Sequence, residues 1–349
     1  NKMKKFLYVL FGGILLGCSD RYMGDESMNM VKSEQVKVVR LTDLAQAGLY
    51  DVSGFVKQGN KLIVGTTYMK EGVARALDLE SPLQEDFSLE KGNSSRRVRA
   101  LSSFNSFDGK SVTALDFRTG ELIESPISPL TRGTTEETIV QLPEGEQHLI
   151  AVKTDDFVIS TGFYAEGRYL LYSLADGSAR YCLSYPDCLE YPGLQEKTKG
   201  MLYASSVLRV RPDGQAFVCA DMYSGVIDFC RLIPGGIERV KLERLSYPMT
   251  EISETPVPRV LYKRENRFGF MDIAVTSERV YALYSGKTYE RDRQGAFEGN
   301  RLLEYDWEGD LVRTLDFNVA LTGITYDCDE GALYGIAGNA GVSLVKLRL

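Results

Sequence analysis

The chain has 349 residues, 41 basic and 48 acidic side chains, one His and one Trp. Its composition, 44% hydrophobic and 26% charged, is that of a globular protein and excludes a disordered or collagen-like chain. The single His148 excludes zinc sites that need two His ligands. The formal charge of −7 argues against nucleic acid as a partner, because nucleic-acid binding requires a basic face.

The first residues have the pattern of an export signal. Three Lys precede an uncharged run of twelve residues, Phe6–Gly17. Twelve helical residues reach about 18 Å, short of the roughly 30 Å hydrocarbon core, so residues 1–17 are predicted to be a signal peptide rather than a membrane span. The run ends in Leu-Leu-Gly-Cys, which resembles the bacterial lipobox. The resemblance implies cleavage before Cys18, lipidation of its thiol and attachment to a membrane.

The residues that follow are polar. Residues 18–35 lack apolar periodicity, and we expect them to form a flexible tether. Beyond them, no run approaches the roughly eighteen apolar residues of a membrane helix. Residues 36–349 are therefore predicted to form one soluble body.

This body repeats a short β unit. Short apolar or alternating runs, separated by Gly, Asp, Asn or Pro, predict many strands and little helix. One unit, a strand followed by a tight turn and a second strand, recurs with first strands that start at residues 73, 111, 168, 226, 301 and 343. A self-similar unit at this spacing is typical of propeller blades. The sequence therefore predicts an all-β fold, a six-bladed β-propeller.

The two ends of the body suggest how the ring closes. A continuous apolar strand precedes most units, as in Lys61–Thr67, and such strands fit sheets that are covered on both faces. The last unit ends at Leu349, and Val36–Leu41 is a strand without an obvious partner. We expect this N-terminal strand to join the last blade as its outer strand, because a closed ring removes an exposed edge.

Two motifs lie between Leu302 and Ala337. One is a Tyr-Asp-Trp-x-Gly turn at residues 305–309, and the other is Gly-Ile-x-Tyr-Asp at 323–327 followed by Leu-Tyr at 333–334. With these motifs the chain resembles the TolB-like six-bladed propeller lipoproteins of Bacteroidetes. The resemblance implies an outer-membrane lipoprotein, facing the periplasm or the surface, and it brings no catalytic residue. Trp307 is expected to anchor a turn in the core.

Familiar catalytic and metal-binding patterns are missing from the sequence. No Gly-x-Ser-x-Gly elbow accompanies His148. Gly286-Lys287-Thr288 lacks the first glycine of a phosphate-binding loop. Asp327–Glu330 runs into a strand without the later glutamate of a calcium loop, so a tight turn is expected there. We predict no catalytic residue, no metal and no cofactor.

The sequence leaves the state of the cysteines open. Five cysteines follow Cys18, and an odd number cannot all pair within one chain. Disulfides are permitted in an exported protein, and buried free thiols are the alternative. The five are Cys182, Cys188, Cys219, Cys230 and Cys328, with Cys182–Cys188 and Cys219–Cys230 as candidate pairs.

Blade geometry sorts the loops into two faces. Second-to-third turns and blade-to-blade links share one face, here called the long-loop face, and the other turns share the short-turn face. Long segments at 125–147, 185–202, 247–267 and 286–300 are assigned to the long-loop face. They are rich in Tyr and Arg, which supply amphipathic, multi-donor contacts. The candidate ligand-binding residues are Tyr185, Tyr191, Tyr262, Arg264, Arg267, Tyr289, Arg291 and Arg293.

These observations favour binding over catalysis. We predict a monomeric propeller of the cell envelope that is held to the membrane by a lipid at Cys18 and that binds a glycan, a peptide or an envelope protein. The alternative is an envelope enzyme, a lyase or hydrolase, with Tyr, Arg and carboxylate groups converging on the axial funnel. A structural scaffold without an axial pocket is the third possibility.

Overall fold

The computed structural model describes residues 21–22, 28, 31–67, 72–81, 85–90, 98–127, 137–338 and 342–349. The predicted signal peptide and Cys18 lie outside the described residues. Strands dominate the described part, and short antiparallel sheets make up most of it. No helix in this part of the chain is long and apolar enough to cross a membrane.

The first strands along the chain are β1 (Arg21–Tyr22), β2 (Ser33–Gln35) and β3 (Lys37–Asp43). Blade 1 contains β4 (Gly54–Gln58), β5 (Lys61–Gly65), β6 (Gly72–Asp78) and β7 (Glu85–Glu90). Blade 2 contains β8 (Leu101–Asn105), β9 (Ser111–Asp116), β10 (Glu121–Pro126) and β11 (Thr138–Gln141). Blade 3 contains β12 (His148–Lys153), β13 (Phe157–Gly162), β14 (Tyr169–Ser173) and β15 (Ala179–Cys182).

Helix α1 (Glu196–Leu202) precedes blade 4, which contains β16 (Ser206–Val210), β17 (Ala216–Asp221), β18 (Val226–Ile233) and β19 (Gly236–Arg244). A separate hairpin follows, β20 (Thr250–Ser253) and β21 (Arg259–Tyr262). The chain continues with β22 (Phe270–Val275), β23 (Val280–Tyr284), α2 (Tyr289–Asp292), β24 (Gly299–Tyr305), β25 (Leu311–Asp327), β26 (Ala332–Ala337) and β27 (Ser343–Arg348).

Strand β25 belongs to two blades. Its first part pairs with β24 as the outer strand of blade 5, and its second part, from Leu321, pairs with β26 as the inner strand of blade 6. The inner strands β4, β8, β12, β16, β22 and the second part of β25 contact one another in this order around a closed ring. The predicted six-bladed propeller is confirmed.

The predicted closure of the ring is also confirmed. Strand β3 pairs antiparallel with β27, so that Val38 lies opposite Leu347 and Arg40 lies opposite Val345. The first and last segments of the fold thus share one blade. This pairing covers the edge that β27 would otherwise expose.

The flexible tether predicted over residues 18–35 is wrong for the residues that the structure describes. Strand β2 pairs in parallel with β25, and Glu34 forms an ion pair with Arg313 at 2.9 Å. Strand β1 pairs in parallel with β19, and Met28 is only 5% exposed in the core between blades 4 and 5. The outer edges of these blades offer backbone donors and acceptors, which the segment uses.

In blade 2, the predicted repeat unit lies one strand earlier than in the other blades. The unit that starts at residue 111 is the second strand of its blade, β9, whereas the corresponding units elsewhere are third strands. Residues 142–147 of the predicted long segment 125–147 link blades 2 and 3 and lie on the long-loop face, whereas residues 125–126 and 138–141 belong to β10 and β11. Residues 128–136 of that segment lie outside the described residues. Since β9 and β10 are both largely buried, their hydrophobic pattern does not distinguish them.

Apolar cores lie between neighbouring blades, and side chains from the turns pack into them. Trp307 is 8% exposed and packs in the core between blades 4 and 5. Its indole nitrogen donates to the carbonyl of Thr276 at 3.0 Å. Burial of a large apolar side chain contributes about 1.5–3 kcal/mol. The expected role of Trp307 as an anchor of a turn is confirmed.

A charged cluster seals the seam between blades 1 and 6. Lys57 is 4% exposed and donates to Asp327 at 2.8 Å and to Glu330 at 2.5 Å. Its ammonium also lies 4.2 Å from the centre of the Tyr334 ring. Hydrogen bonds from Lys57, Tyr334 and Lys346 lower the pKa of Glu330 to about 2. The tight turn expected at Asp327–Glu330 is confirmed, and its carboxylates hold the ring together.

The five cysteines in the described part of the chain are free thiols. Cys328 is exposed, and the other four described cysteines are buried. In the pairing of β17 with β18, Cys219 lies opposite Asp228 and Cys230 lies opposite Phe217, so the two thiols do not face each other.

Candidate functional site

Three long segments build the long-loop face. Residues 183–205 carry α1, residues 245–269 carry the β20–β21 hairpin, and residues 285–298 carry α2. All three follow or interrupt blades 3 to 5, so they lie on one side of the ring. The turns of the short-turn face are much shorter, as at residues 234–235 and 328–331. The structure confirms this face for three of the four predicted long segments.

Tyr185 is a core residue rather than a surface residue. It is 3% exposed, and its hydroxyl donates to the carbonyl of Gly162 at 2.8 Å. The same oxygen accepts from the backbone N–H of Tyr164 at 3.2 Å. The expectation that Tyr185 presents its ring to a surface ligand is wrong, because its ring packs in the cluster beneath the segment and its hydroxyl ties the segment to blade 3.

Tyr191 and Tyr262 hold the long segments to one another. The Tyr191 hydroxyl donates to the carbonyl of Thr250 at 3.1 Å. The Tyr262 hydroxyl donates to the carbonyl of Leu202, and burial raises the pKa of Tyr262 well above its ordinary value. Both rings are half-buried. Their hydroxyls are therefore used within the protein, and only their ring faces remain for a ligand.

Arg264 and Arg267 lie where the second and third segments meet. The carbonyl of Arg264 accepts from the backbone N–H of Glu290 at 2.9 Å, and Arg267 forms an isolated β-bridge with Thr288. The side chain of Arg264 is exposed, whereas that of Arg267 is half-buried. Backbone contacts thus fix the position from which the Arg264 guanidinium reaches solvent.

Tyr289, Arg291 and Arg293 share the α2 region. The Arg293 guanidinium lies 5.9 Å from the centre of the Tyr289 ring, within cation–π range. Arg291 is exposed and forms an ion pair with its neighbour Asp292 at 3.1 Å. Among the eight predicted residues, the structure brings Tyr289 and Arg293 together most directly.

A row of aromatic rings connects these residues, and we call it the aromatic row. Its members in order are Tyr262, Tyr223, Phe268, Phe297 and Tyr289. Successive ring centres lie 4.2, 5.0, 4.6 and 6.4 Å apart. Phe268 is buried, and the other four rings are half-buried. Packing at these distances stabilises aromatic pairs by about 0.5–1.5 kcal/mol beyond their burial, so the row is held rigidly.

Exposed apolar side chains also concentrate on this face. Six of the eleven large exposed apolar side chains among the described residues lie in its loops, and the other five lie in blade strands or directly after β27. A concentration of exposed apolar side chains on one face is typical of an interaction site. The six are Tyr50, Phe117, Leu189, Met249, Val257 and Leu261.

A polar network crosses the propeller axis. Arg209 on the inner strand of blade 4 donates to Asn105 at 2.6 Å and to Asp272 at 2.8 Å. The other oxygen of Asp272 accepts from the backbone N–H of Ile324 at 2.9 Å. Gly323 permits this approach, since a Cβ there would lie 3.1 Å from the Asp272 carboxylate. The network links the inner strands of blades 2, 4, 5 and 6.

The axis holds a cavity towards each face. A cavity of about 130 Å³ reaches the long-loop end, and one of about 270 Å³ opens at the short-turn end. Burial raises the pKa of Asp272, while the charge of Arg209 opposes that rise. Because protein groups bond both oxygens of Asp272, the arrangement joins blades rather than presenting a free acid or base. The scaffold expected to lack an axial pocket does not match this geometry.

Both ring nitrogens of His148 form hydrogen bonds with neighbouring groups. It is 2% exposed, and its Nε2 donates to the carbonyl of Pro143 at 2.9 Å. Its Nδ1 then accepts from the Tyr164 hydroxyl at 2.6 Å. Burial lowers the pKa of His148, which keeps the ring neutral. Among the described residues, no group of three or more His, Cys, Asp or Glu side chains is placed to hold a metal ion.

Comparison with known proteins identifies the family. The family model described as TolB-like 6-blade propeller-like matches residues 128–329, more than half of the chain. The chain belongs to the TolB-like propeller family. The resemblance carried by the motifs between residues 302 and 337 is thereby confirmed.

Solved structures share the architecture of this TolB-like propeller. A Bacteroides fragilis protein described as a candidate exported protein is 10% identical, with a TM-score of 0.54 over 91% of this chain and 98% of its own. A member of the DUF4221 family from Bacteroides vulgatus is 8% identical, with a TM-score of 0.56 over 91% of this chain and 97% of its own. No curated protein matches the sequence. At these identities the likeness concerns the fold alone.

Sequence reasoning missed part of this TolB-like propeller's loop face. Tyr223, Phe268 and Phe297 complete the aromatic row but were not among the predicted residues. Phe268 and Phe297 lie in or beside predicted long segments, so the restriction to Tyr and Arg excluded them. Tyr223 lies in a four-residue turn, and its position beside Tyr262 depends on contacts between distant parts of the chain.

Proposed function

We propose that this TolB-like propeller is a binding module of the bacterial envelope and that it takes its ligand on the long-loop face above blades 4 and 5. The ligand is a glycan, a peptide or an envelope protein. The observation that carries this proposal is the half-exposed aromatic row, bordered by the exposed guanidinium groups of Arg264, Arg291 and Arg293.

The chemistry of the row suits recognition. Half-exposed rings offer apolar faces on which sugar rings or apolar side chains can stack, and neighbouring guanidinium groups offer several donors each. The rings pack against one another, so little conformational entropy is lost when a ligand binds. The chain has a net charge of −7, whereas three exposed arginines place positive charge beside the aromatic row.

The place of action follows from the sequence. The signal peptide and the lipobox support export and attachment through a lipid on Cys18, with the propeller at the outer membrane as a monomer. Acyl chains contribute about 0.8 kcal/mol for each buried CH₂ group, which supports attachment to a membrane through Cys18.

A ligand screen with matched variants tests the proposal. Thermal shift of the full chain is measured against glycans, peptides and envelope proteins, and each hit is repeated with the double variant Tyr289→Ala, Arg293→Gln. We expect the affinity of a true ligand to fall at least tenfold, since such anchors are typically worth more than 1 kcal/mol. The control is Tyr50→Ala, an equally aromatic and 76% exposed site on the same face at blade 1.

Two results would oppose the proposal. Equal binding by the wild type and the double variant would move the site away from the aromatic row. A loss in the Tyr50→Ala variant alone would place the site on the other side of the ring. Turnover of a bound ligand would favour the envelope enzyme instead.

A further inference from the structure

A buried arginine at the end of β19 differs from the other buried cations. Four cationic side chains are buried among the described residues: Lys57, Arg168, Lys199 and Arg244. The first three form ion pairs with carboxylates. Arg244 is 6% exposed, and within the described part of the chain no carboxylate pairs with it. A buried charge without a counter-charge is strongly unfavourable, so its retention calls for an explanation.

The unused atoms of Arg244 form the edge that binds carboxylates. Its Nε and Nη2 are buried and have no hydrogen-bond partner. The same pair of atoms in Arg239 binds Asp228 at 2.8 and 2.9 Å, and in Arg301 it binds Asp316 at 2.6 and 3.1 Å. This planar fork matches the two oxygens of a carboxylate. The protein therefore uses this edge twice for internal carboxylates and leaves it free in Arg244.

Two hydroxyl groups without partners accompany the guanidinium. The Tyr203 hydroxyl and the Thr250 Oγ1 are buried and unbonded. Arg244 shares a face of β19 with Leu242, which packs in one cluster with Tyr203. Thr250 shares a face of β20 with Ile252, which packs against the same cluster. Three separate elements thus bring unbonded polar groups to the region around one apolar cluster under the long-loop face.

The charge of Arg244 acts on the Tyr203 hydroxyl. Burial raises the pKa of Tyr203, and the positive charge of Arg244 is the largest influence that opposes this rise. The Arg244 guanidinium lies 4.7 Å from the centre of the Tyr247 ring, which covers one of its faces. The fork itself lies in the plane of the group, so this stacking leaves it available.

The predicted residues Tyr191 and Tyr262 form the walls of this region. Tyr191 bonds the carbonyl of Thr250, and Tyr262 bonds the carbonyl of Leu202, next to Tyr203. The hairpin of β20 and β21 pairs with no blade strand, so it covers the region without being part of a sheet of the ring. The cover and the hydroxyls of Tyr203 and Thr250 thus come from the same two long segments, 183–205 and 245–269, and Arg244 comes from the end of β19.

We infer that Arg244 is the receptor for a carboxylate group of the ligand, with the hydroxyls of Tyr203 and Thr250 as further donors. A water molecule can accept hydrogen bonds from the fork but does not neutralise its charge, whereas a carboxylate does both. The inference rests on the proposed function and names its ligand class. An acidic sugar and the C-terminus of a peptide both carry this group.

The test compares probes that differ only in the carboxylate. Glucuronate is compared with glucose, and N-acetyl-alanyl-alanine is compared with its C-terminal amide, by calorimetric titration of the full chain. We expect one carboxylate probe to bind at least tenfold more tightly than its neutral counterpart, and the pair that responds identifies the source. Arg244→Met removes this preference, whereas the control Arg118→Met, an exposed arginine in the turn between β9 and β10 on the same face, retains it.

Stability gives a second readout. Without ligand, Arg244→Met is expected to raise the Tm by about 2 °C or more, because it removes an unpaired buried charge and keeps similar volume. A lower Tm would show that Arg244 stabilises the fold and would oppose the inference. Equal binding of the charged and neutral probes would overturn it. Neutral ligands that still depend on Tyr289 and Arg293 would leave the proposed function standing while this inference fails.

Discussion

Asp221 shows how a single buried carboxyl group organises the long-loop face. It ends β17, and one of its oxygens accepts from the backbone N–H groups of Tyr223 and Ser224 at 3.0 and 2.7 Å and from the Ser224 hydroxyl at 2.6 Å. These bonds fix the turn that places Tyr223 in the aromatic row. Burial is the largest influence on the carboxyl group and raises its pKa to about 6.

This raised pKa predicts a pH-dependent stability. Between about pH 4 and 6, the Asp221 carboxyl group is protonated in the folded chain and ionised in the unfolded chain. Its protonation therefore stabilises the fold fully below about pH 4, and this stabilisation is lost as the pH rises through about 6. Asp221→Asn keeps the acceptor oxygen but does not ionise. Relative to the wild type, its free energy of unfolding is expected to gain roughly 2–3 kcal/mol between pH 4 and 7.

Urea unfolding at several pH values measures this difference. The comparison of two variants at each pH cancels the titration of the other groups. Parallel stability profiles for the wild type and Asp221→Asn would contradict the assigned pKa.

At the scale of elements, the seam between blades 1 and 6 decides whether the ring stays closed. It is held by an apolar cluster that includes Phe55 of blade 1 and Tyr334 of blade 6, by the pairing of β3 with β27, and by the ion pair of Lys57 with the turn after β25. Lys57→Met leaves Asp327 buried, 1% exposed, without its cation. We expect a loss of about 3–5 kcal/mol in the free energy of unfolding, since a buried carboxylate then lacks a counter-charge.

The matched control is Lys346→Met. Lys346 bonds the same Glu330 at 2.9 Å, but its side chain is 33% exposed. Solvent screens such a pair, so its removal is expected to lower the free energy of unfolding far less than Lys57→Met does. Similar losses for the two variants in urea unfolding would show that the seam does not depend on the buried charge.

The elements also show what the sequence could predict. Strand alternation and turn residues predicted the blades and the closing strand, because both signals are local in the chain. The repeat unit that starts at residue 111 was assigned to the wrong strand of blade 2 because β9 and β10 are similarly buried. The sequence did not predict the pairing of residues 33–35, because their polar sequence gives no pattern and their partner, β25, lies 281 residues away.

For the candidate site too, the sequence predicted the features that are local in the chain and missed those that depend on contacts between distant segments. Long segments rich in Tyr and Arg located the face, and the structure places Tyr289 with Arg293 there. Sequence spacing does not show that Tyr185 points into the core or that Arg244 lacks a carboxylate, because both depend on contacts between segments that only the folded ring brings together.

At the scale of the whole molecule, the two faces of the ring differ in structure. The short-turn face carries tight turns and the seam cluster, whereas the long-loop face carries three long segments, the aromatic row and most of the exposed apolar residues. The six blades provide a rigid frame, and the loops of blades 3 to 5 vary the surface without disturbing the strands. Binding on one side of one face is therefore the central claim.

Hydrogen–deuterium exchange of the full chain, with and without a ligand from the screen, tests this claim most directly. We predict slower exchange in residues 245–269 and 285–298 on binding, with little change in the turns at 276–279 and 328–331 on the short-turn face. Protection confined to the short-turn face or to the outer strands would contradict it.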